Sequence, residues 1–315
     1  MHRSDLVRAL GRLVVAGPYQ AVLAIVLCIV LGVFLPPLAP VLGYVAAAAL
    51  ALHSLQLGAR AGAIVLLASV AVVALLIGVL TGQQLALAIT AILLALWTPL
   101  WLAGVVLRET RSFAMAVLVF ALLGMLAVLL VYLLLGDPVQ WWPAYIKEQL
   151  DAVLAAQPEL SEQLGQLSVQ AERFAPVLAG SVAAGLVMNS VLGLALGRWW
   201  QAVILEKPGV VRAEFFALRF NRTLSLAGFA IFALAVPDLG VVSALALQWS
   251  LVIMVPFLFA GLAVAHVTLN NLKAGLVWLV FVYIAAILVP QLLVALGMLD
   301  PWLDLRRRTA KAETN

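Results

Sequence analysis

From Gly17 to Ala59 the chain carries no Asp, Glu, Lys or Arg, and the same holds from Ala61 to Leu107 and from Phe113 to Gly136. Stretches like these restrict the folds open to a chain. A soluble domain has about 25% charged residues to cover its surface, and here there are 10%. A hydrocarbon layer of about 30 Å, by contrast, is crossed by roughly 20 apolar residues of helix at ~1.5 Å each. With 66% hydrophobic residues and a mean hydropathy of +1.17, the sequence implies an all-α polytopic membrane helix bundle.

Nine apolar segments can be drawn, roughly 18–35, 38–57, 61–80, 84–106, 113–135, 174–199, 223–236, 239–268 and 274–297, which predicts about eight or nine transmembrane helices. The breaks between them carry turn or charge signals such as "PPLAP", "GARAG", "TGQQ", "RETRS", "PDLG" and "NNLK". The basic start resembles a signal peptide, but the apolar run after it is too long for one, and Tyr19 to Leu35 reads as a retained first span. Three blocks follow: 1–135 with five spans, 136–173 outside the membrane, and 174–315 with an elbow helix at 210–220.

Charge orients the bundle. With the N-terminus in the cytoplasm, inside loops hold Arg3, Arg8, Arg12, Arg60, Arg108, Arg111, Arg198, Lys207, Arg212, Arg219, Arg222 and Lys273, and outside loops only Lys147 and Arg173. This positive-inside bias gives a multi-pass membrane protein with its N-terminus in the cytoplasm. It also explains the formal net charge of +4 without nucleic acid as a partner. The tail breaks the pattern, because nine crossings would export Arg306, Arg307, Arg308 and Lys311. Either it is exported or one segment fails to cross: Pro290 is a candidate break in the last helix, and the short segment 223–236 is a candidate to dip and return.

The outer loop has helical periodicity. Ile146, Leu150, Val153 and Leu154 share one face, and after Pro158 so do Leu160, Leu164, Leu167, Ala171 and Phe174. Two amphipathic helices are expected, the second leading into the sixth span, either as a lid or lying flat on the bilayer. In that span Ser181, Gly185, Asn189, Gly193 and Gly197 recur every fourth residue, a spacing that lets a second helix approach closely.

After Gly197 come Arg198, Trp199 and Trp200, at the depth where an indole suits the headgroup layer, then "KPG" and a short helix, "VVRAEFFALRF". Val211, Phe215 and Leu218 share an apolar face, and Arg212 and Arg219 a polar stripe. Arg198, Trp199, Trp200, Arg212, Phe215 and Arg219 are therefore the candidate contacts to lipid or to a partner.

The residues supply no catalytic constellation. No carboxylate lies within a span, and there is no nucleophile motif, P-loop or dinucleotide fingerprint. The lone Cys28 makes no disulfide, His53 and His266 read as interfacial rather than as metal ligands, and no cofactor or metal is expected. Asn189, Gln248 and Trp249 are the polar groups at membrane depth available to a ligand, though each can equally pack against a neighbouring helix.

"GRWWQAVILEKPGVVRAEFFALRF", with "GLAVAH" (Gly261 to His266) and "LGMLDPWLDLRRR" (Leu296 to Arg308), resembles the YybS-like family of bacterial multi-pass membrane proteins, which has no agreed activity. "LEKPGV" departs from relatives that carry Asn before the Pro and a second Gly. The opening "LPPLAPVLGY…LGARAGAIVLLASVAVVALLIG" is similar to S-components of energy-coupling-factor transporters and to MreD-like proteins, with Gly58 and Gly62 at a glycine-spaced turn. The first likeness implies a small-solute-binding membrane subunit. The second implies a scaffold, of the kind used in morphogenesis, that recruits membrane or cytoplasmic subunits without transport. Neither is an enzyme, and membrane lipids are partners in both.

Overall fold

The computed structural model describes residues 3–156 and 161–311, and among them no strand occurs. The helices are α1 (Arg3–Ala16), α2 (Pro18–Phe34), α3 (Ala39–Leu57), α4 (Ala59–Thr81), α5 (Gln83–Thr110), α6 (Phe113–Leu135), α7 (Pro138–Ala156), α8 (Ser161–Ile204), α9 (Val210–Phe216), α10 (Arg222–Leu234), α11 (Val241–Asn271), α12 (Leu276–Leu288), α13 (Pro290–Leu303) and α14 (Leu305–Lys311). The all-α membrane architecture expected from composition is what the chain forms.

The number of spans is lower than expected. Among the described residues six helices are long and apolar enough to cross: α3 with the turn before it, α4, α5, α6, the Glu172–Ile204 part of α8, and α11. A seventh arises if α12 and α13, bent by 105° at their junction, count as one. The difference is one of length. α10 has 13 residues, about 20 Å of helix, and α2 has 17, about 25 Å, against about 30 Å of hydrocarbon. Segment 274–297 breaks before Pro290, which lacks the N–H to continue α12 and opens α13 at its first position instead.

Outside the spans, α7 is the first of the two amphipathic helices. The second is continuous with the sixth span: α8 runs 44 residues, about 66 Å, so its first turns extend beyond the apolar part. Pro158 and Leu160, placed by sequence at the start of that helix, lie outside the described residues, as do the side chains of Leu164, Leu167 and Ala171.

The chain divides into two compact units, with boundaries inside α6 and α8. Unit 1 comprises Met1–Phe120 and Met188–Arg219. At its centre the α3 run Ala46–Leu52 is buried throughout. The stripe on α8 explains why: a Cβ on Gly197 would lie 2.7 Å from Ala51 Cβ and 2.9 Å from Ala48 O, so two helices with almost no side chain meet backbone to backbone. α1 is tied on by Trp200 Nε1, which donates to Val7 O at 2.9 Å, and by His53 Nδ1, 3.0 Å from Val14 O. Tight reversals at Gly58 (φ 93) and Gly82 (φ 95) join α3, α4 and α5, a backbone region that only glycine enters without strain.

Unit 2 comprises Ala121–Val187 and Phe220–Asn315. Buried Phe257 on α11 packs edge-on against Phe220, ring centroids 5.4 Å apart. α11 and α13 cross so closely that a Cβ on Gly261 would overlap the Leu293 carbonyl, and one on Gly297 the Phe257 carbonyl. At one end Asp300, 1% exposed, is 3.3 Å from Arg306 Nε, and Arg222 Nε donates to Pro301 O at 3.3 Å.

Candidate functional site

Unit 1 contains a cavity of about 300 Å³ walled by α2, α3, α5 and α8. The helices leave space there because their small residues face it: Gly43 and Ala47 on α3 offer no bulk, and Pro40 opens the first turn of that helix. Ile29, Leu93 and Leu100 make most of the wall apolar. Four polar groups interrupt it: the Tyr44 phenol, the Trp97 indole, the Asn189 amide and the Ser190 hydroxyl. No side chain of these four hydrogen-bonds to any described residue. Together they put two aromatic faces beside two uncharged hydrogen-bonding groups on one partly open wall.

Asn189 is the one sequence-derived candidate on this wall. Gln248 and Trp249, on α11 in unit 2, are engaged with backbone. Gln248 Oε1 accepts from Gly180 N, and its Nε2 donates to Pro176 O at 2.7 Å. Trp249 Nε1 donates to Met125 O at 2.9 Å. Sequence reading missed Tyr44, Trp97 and Ser190. Tyr44 was the available signal, an isolated phenol followed by an alanine run, "GYVAAAAL", where a polar tip has no intrahelical role.

The elbow residues divide by environment. Arg198 is held: its Nη2 is 2.6 Å and its Nε 2.9 Å from the two oxygens of Glu214 on α9, and Nη1 donates to Gln201 Oε1 at 2.8 Å. This bidentate pair is mostly shielded, the side chains 15% and 20% exposed, and fixes α9 against the end of α8. Trp200 is buried, whereas Trp199 is 45% exposed. Arg212 lies over the Phe216 ring at 4.9 Å, Phe215 is half-buried, and Arg219 is exposed. The outward-facing members are thus Trp199, Arg212 and Arg219.

The helices define the class: a polytopic all-α membrane protein, with a small, mainly apolar cavity among four of its helices. Within that class the chain belongs to the family described as Predicted membrane protein (DUF2232), whose pattern matches residues 22–301. No curated protein and no solved structure matches it.

Proposed function

We propose that this protein is a solute-binding membrane subunit whose ligand is small, uncharged and largely apolar, held in the cavity between α2, α3, α5 and α8. The single observation that carries the reading is the set of unpaired polar groups, Tyr44, Trp97, Asn189 and Ser190, on an otherwise apolar wall. Ligand sites combine an apolar lining with a few placed polar groups, over roughly 300–1,000 Å³. A volume of about 300 Å³ selects a small molecule, and a wall without charge selects a neutral one. Aromatic faces at Tyr44 and Trp97 suit a flat ring, while Asn189 supplies both donor and acceptor. The reading agrees with the S-component likeness of the opening and with YybS-like kinship, in a bacterial inner membrane with the N-terminus cytoplasmic. The alternative is a scaffold that recruits cytoplasmic or membrane subunits through the elbow, for which exposed Trp199, Arg212 and Arg219 speak.

Full-length protein extracted in mild detergent tests the choice. Denaturation followed by mass spectrometry is expected to release a bound small molecule, and a panel of vitamins and neutral metabolites to contain one that raises the melting temperature. A ligand at about 100 times its Kd adds about 2.7 kcal/mol. Asn189→Leu, which keeps helix propensity while filling the site, is expected to abolish the shift and leave the unliganded melt within a degree or two. An empty extract together with a flat panel would remove the solute reading. Crosslinks from Trp199 to a protein rather than to lipid would then establish the scaffold.

A further inference from the structure

A second recess, of about 590 Å³, lies in unit 1 where α5 gives way to α6 and α8 to α9. Its wall carries four cations, Arg108, Arg111, Arg198 and Lys207, against two carboxylates, Glu109 and Glu214. What matters is how much of that charge is already answered. Arg198 and Glu214 neutralise each other in the bidentate pair. Glu109 is 70% exposed and 3.8 Å from Arg108 Nε, a solvated contact of little weight. Arg108 uses Nη1 to cap the end of α3, donating to Leu55 O at 2.8 Å and Gln56 O at 2.6 Å, which leaves its Nη2 uncommitted. The side chains of Arg111 and Lys207 make no hydrogen bond or ion pair with any described residue.

The stems of the two unpaired cations are nevertheless fixed. Arg111 sits at the left-handed cap of α5 (φ 53), its N–H on Leu107 O at 2.9 Å. Lys207 follows left-handed Glu206 (φ 54), its N–H on Ala202 O at 3.0 Å. Cations near helix C-termini commonly answer the terminal carbonyls. Arg108 does so here, but the side chains of Arg111 and Lys207 contact none, so the dipoles do not account for them. The recess is also placed at a telling depth. It adjoins the last turns of α3, α5 and α8, the ends of three helices long and apolar enough to cross, and buried Leu55 and Leu107 give it an apolar floor. Phosphates lie at that level in a bilayer.

We infer that this recess binds a phosphate-bearing anion through Arg111, Lys207 and the open Nη2 of Arg108. A phosphate presents several acceptor oxygens to the N–H groups of separate cations, which suits it to this arrangement. The chemistry is shared by a lipid headgroup and by free phosphate, and the experiment separates the two. Full-length protein in a non-ionic detergent is titrated with short-chain phosphatidylglycerol and, separately, with inorganic phosphate and pyrophosphate, with binding read by melting temperature and native mass spectrometry. Arg111→Gln and Lys207→Gln are each expected to weaken binding about fivefold, and the double variant by more than about tenfold. Both side chains are exposed, so the unliganded melt is expected not to move, and Lys207→Arg is expected to restore binding. Arg60→Gln removes the same charge from the start of α4, outside the recess, and is expected to be silent. Saturation by phosphatidylglycerol alone assigns the site to a headgroup, and saturation by inorganic phosphate as well assigns it to the phosphate itself. Equal loss in Arg60→Gln, or binding of none of the three probes, would overturn the inference.

Discussion

At the scale of single residues, Gln248 is the most informative side chain. From α11 the Gln248 amide reaches the backbone of α8, accepting from Gly180 N–H and donating to Pro176 O, four residues earlier. Gly180 is what lets it enter, since a Cβ there would stand 2.5 Å from Gln248 O and 2.8 Å from its Cα. Two outcomes follow. Gln248→Ala should cost only about 1 kcal/mol, the scale of interhelical hydrogen bonds in membranes. Gly180→Ala should cost about 1–3 kcal/mol, because its methyl meets backbone that cannot turn aside. Reversible unfolding in detergent or bicelles ranks the two, and the reverse order would mean that the close approach at Gly180 is not what fixes α11 there. The sequence made Gln248 visible as an amide at membrane depth. It gave no sign of a partner 68 residues away on another helix.

At the scale of elements, periodicity was readable and its consequences were not. The stripe Ser181–Gly185–Asn189–Gly193–Gly197 announces a packing face, and α8 does pack through it, but unequally. Around a Cβ on Gly185 there is nothing within 4 Å, on Gly193 Ala47 Cβ at 3.2 Å and Leu100 Cδ1 at 3.8 Å, and on Gly197 both backbone and side chain of α3 below 3 Å. A series of Gly→Ala variants should therefore be graded. Gly185→Ala should gain up to about 1 kcal/mol from helix propensity. Gly193→Ala should be near neutral, since a methyl against a methyl needs a shift of only tenths of an ångström. Gly197→Ala should lose about 1–3 kcal/mol by overpacking. Equal effects at all three in thermal melts would show that the stripe acts through propensity rather than contact. The spacing reveals the face but not the depth of each contact, because that depends on what the partner presents: the alanines of α3 opposite Gly193 and Gly197, and open space at Gly185. Helix ends follow the same logic. α6 begins and ends where the apolar run does, whereas the run at 174–199 lies within a helix that continues well past it at the N-terminal end.

At the scale of the whole molecule the open question in the sequence was the basic tail, and contacts within unit 2 bear on it directly. Asn271, the last residue of α11, donates through Nδ2 to Arg306 O and Thr309 Oγ1, both at 3.1 Å. α14 is therefore held at the C-terminal end of α11, next to Lys273. Had α12 and α13 formed one crossing span, the tail would stand a membrane thickness away from that end. They have 13 and 14 residues, each about 20 Å of helix, and meet at 105°, so a path that enters and returns fits the contacts. Such a path leaves Arg306, Arg307, Arg308 and Lys311 on the side of Lys273, which gathers these cations at one face. Cysteine labelling on a Cys28→Ala background checks this in intact cells. Lys273→Cys and Arg307→Cys are expected to share one accessibility. Both positions are exposed, so reagent reaches them unless the membrane intervenes. A tail that labelled opposite to Lys273 would require α12 and α13 to cross together, and the Asn271 contacts could not then form in the bilayer.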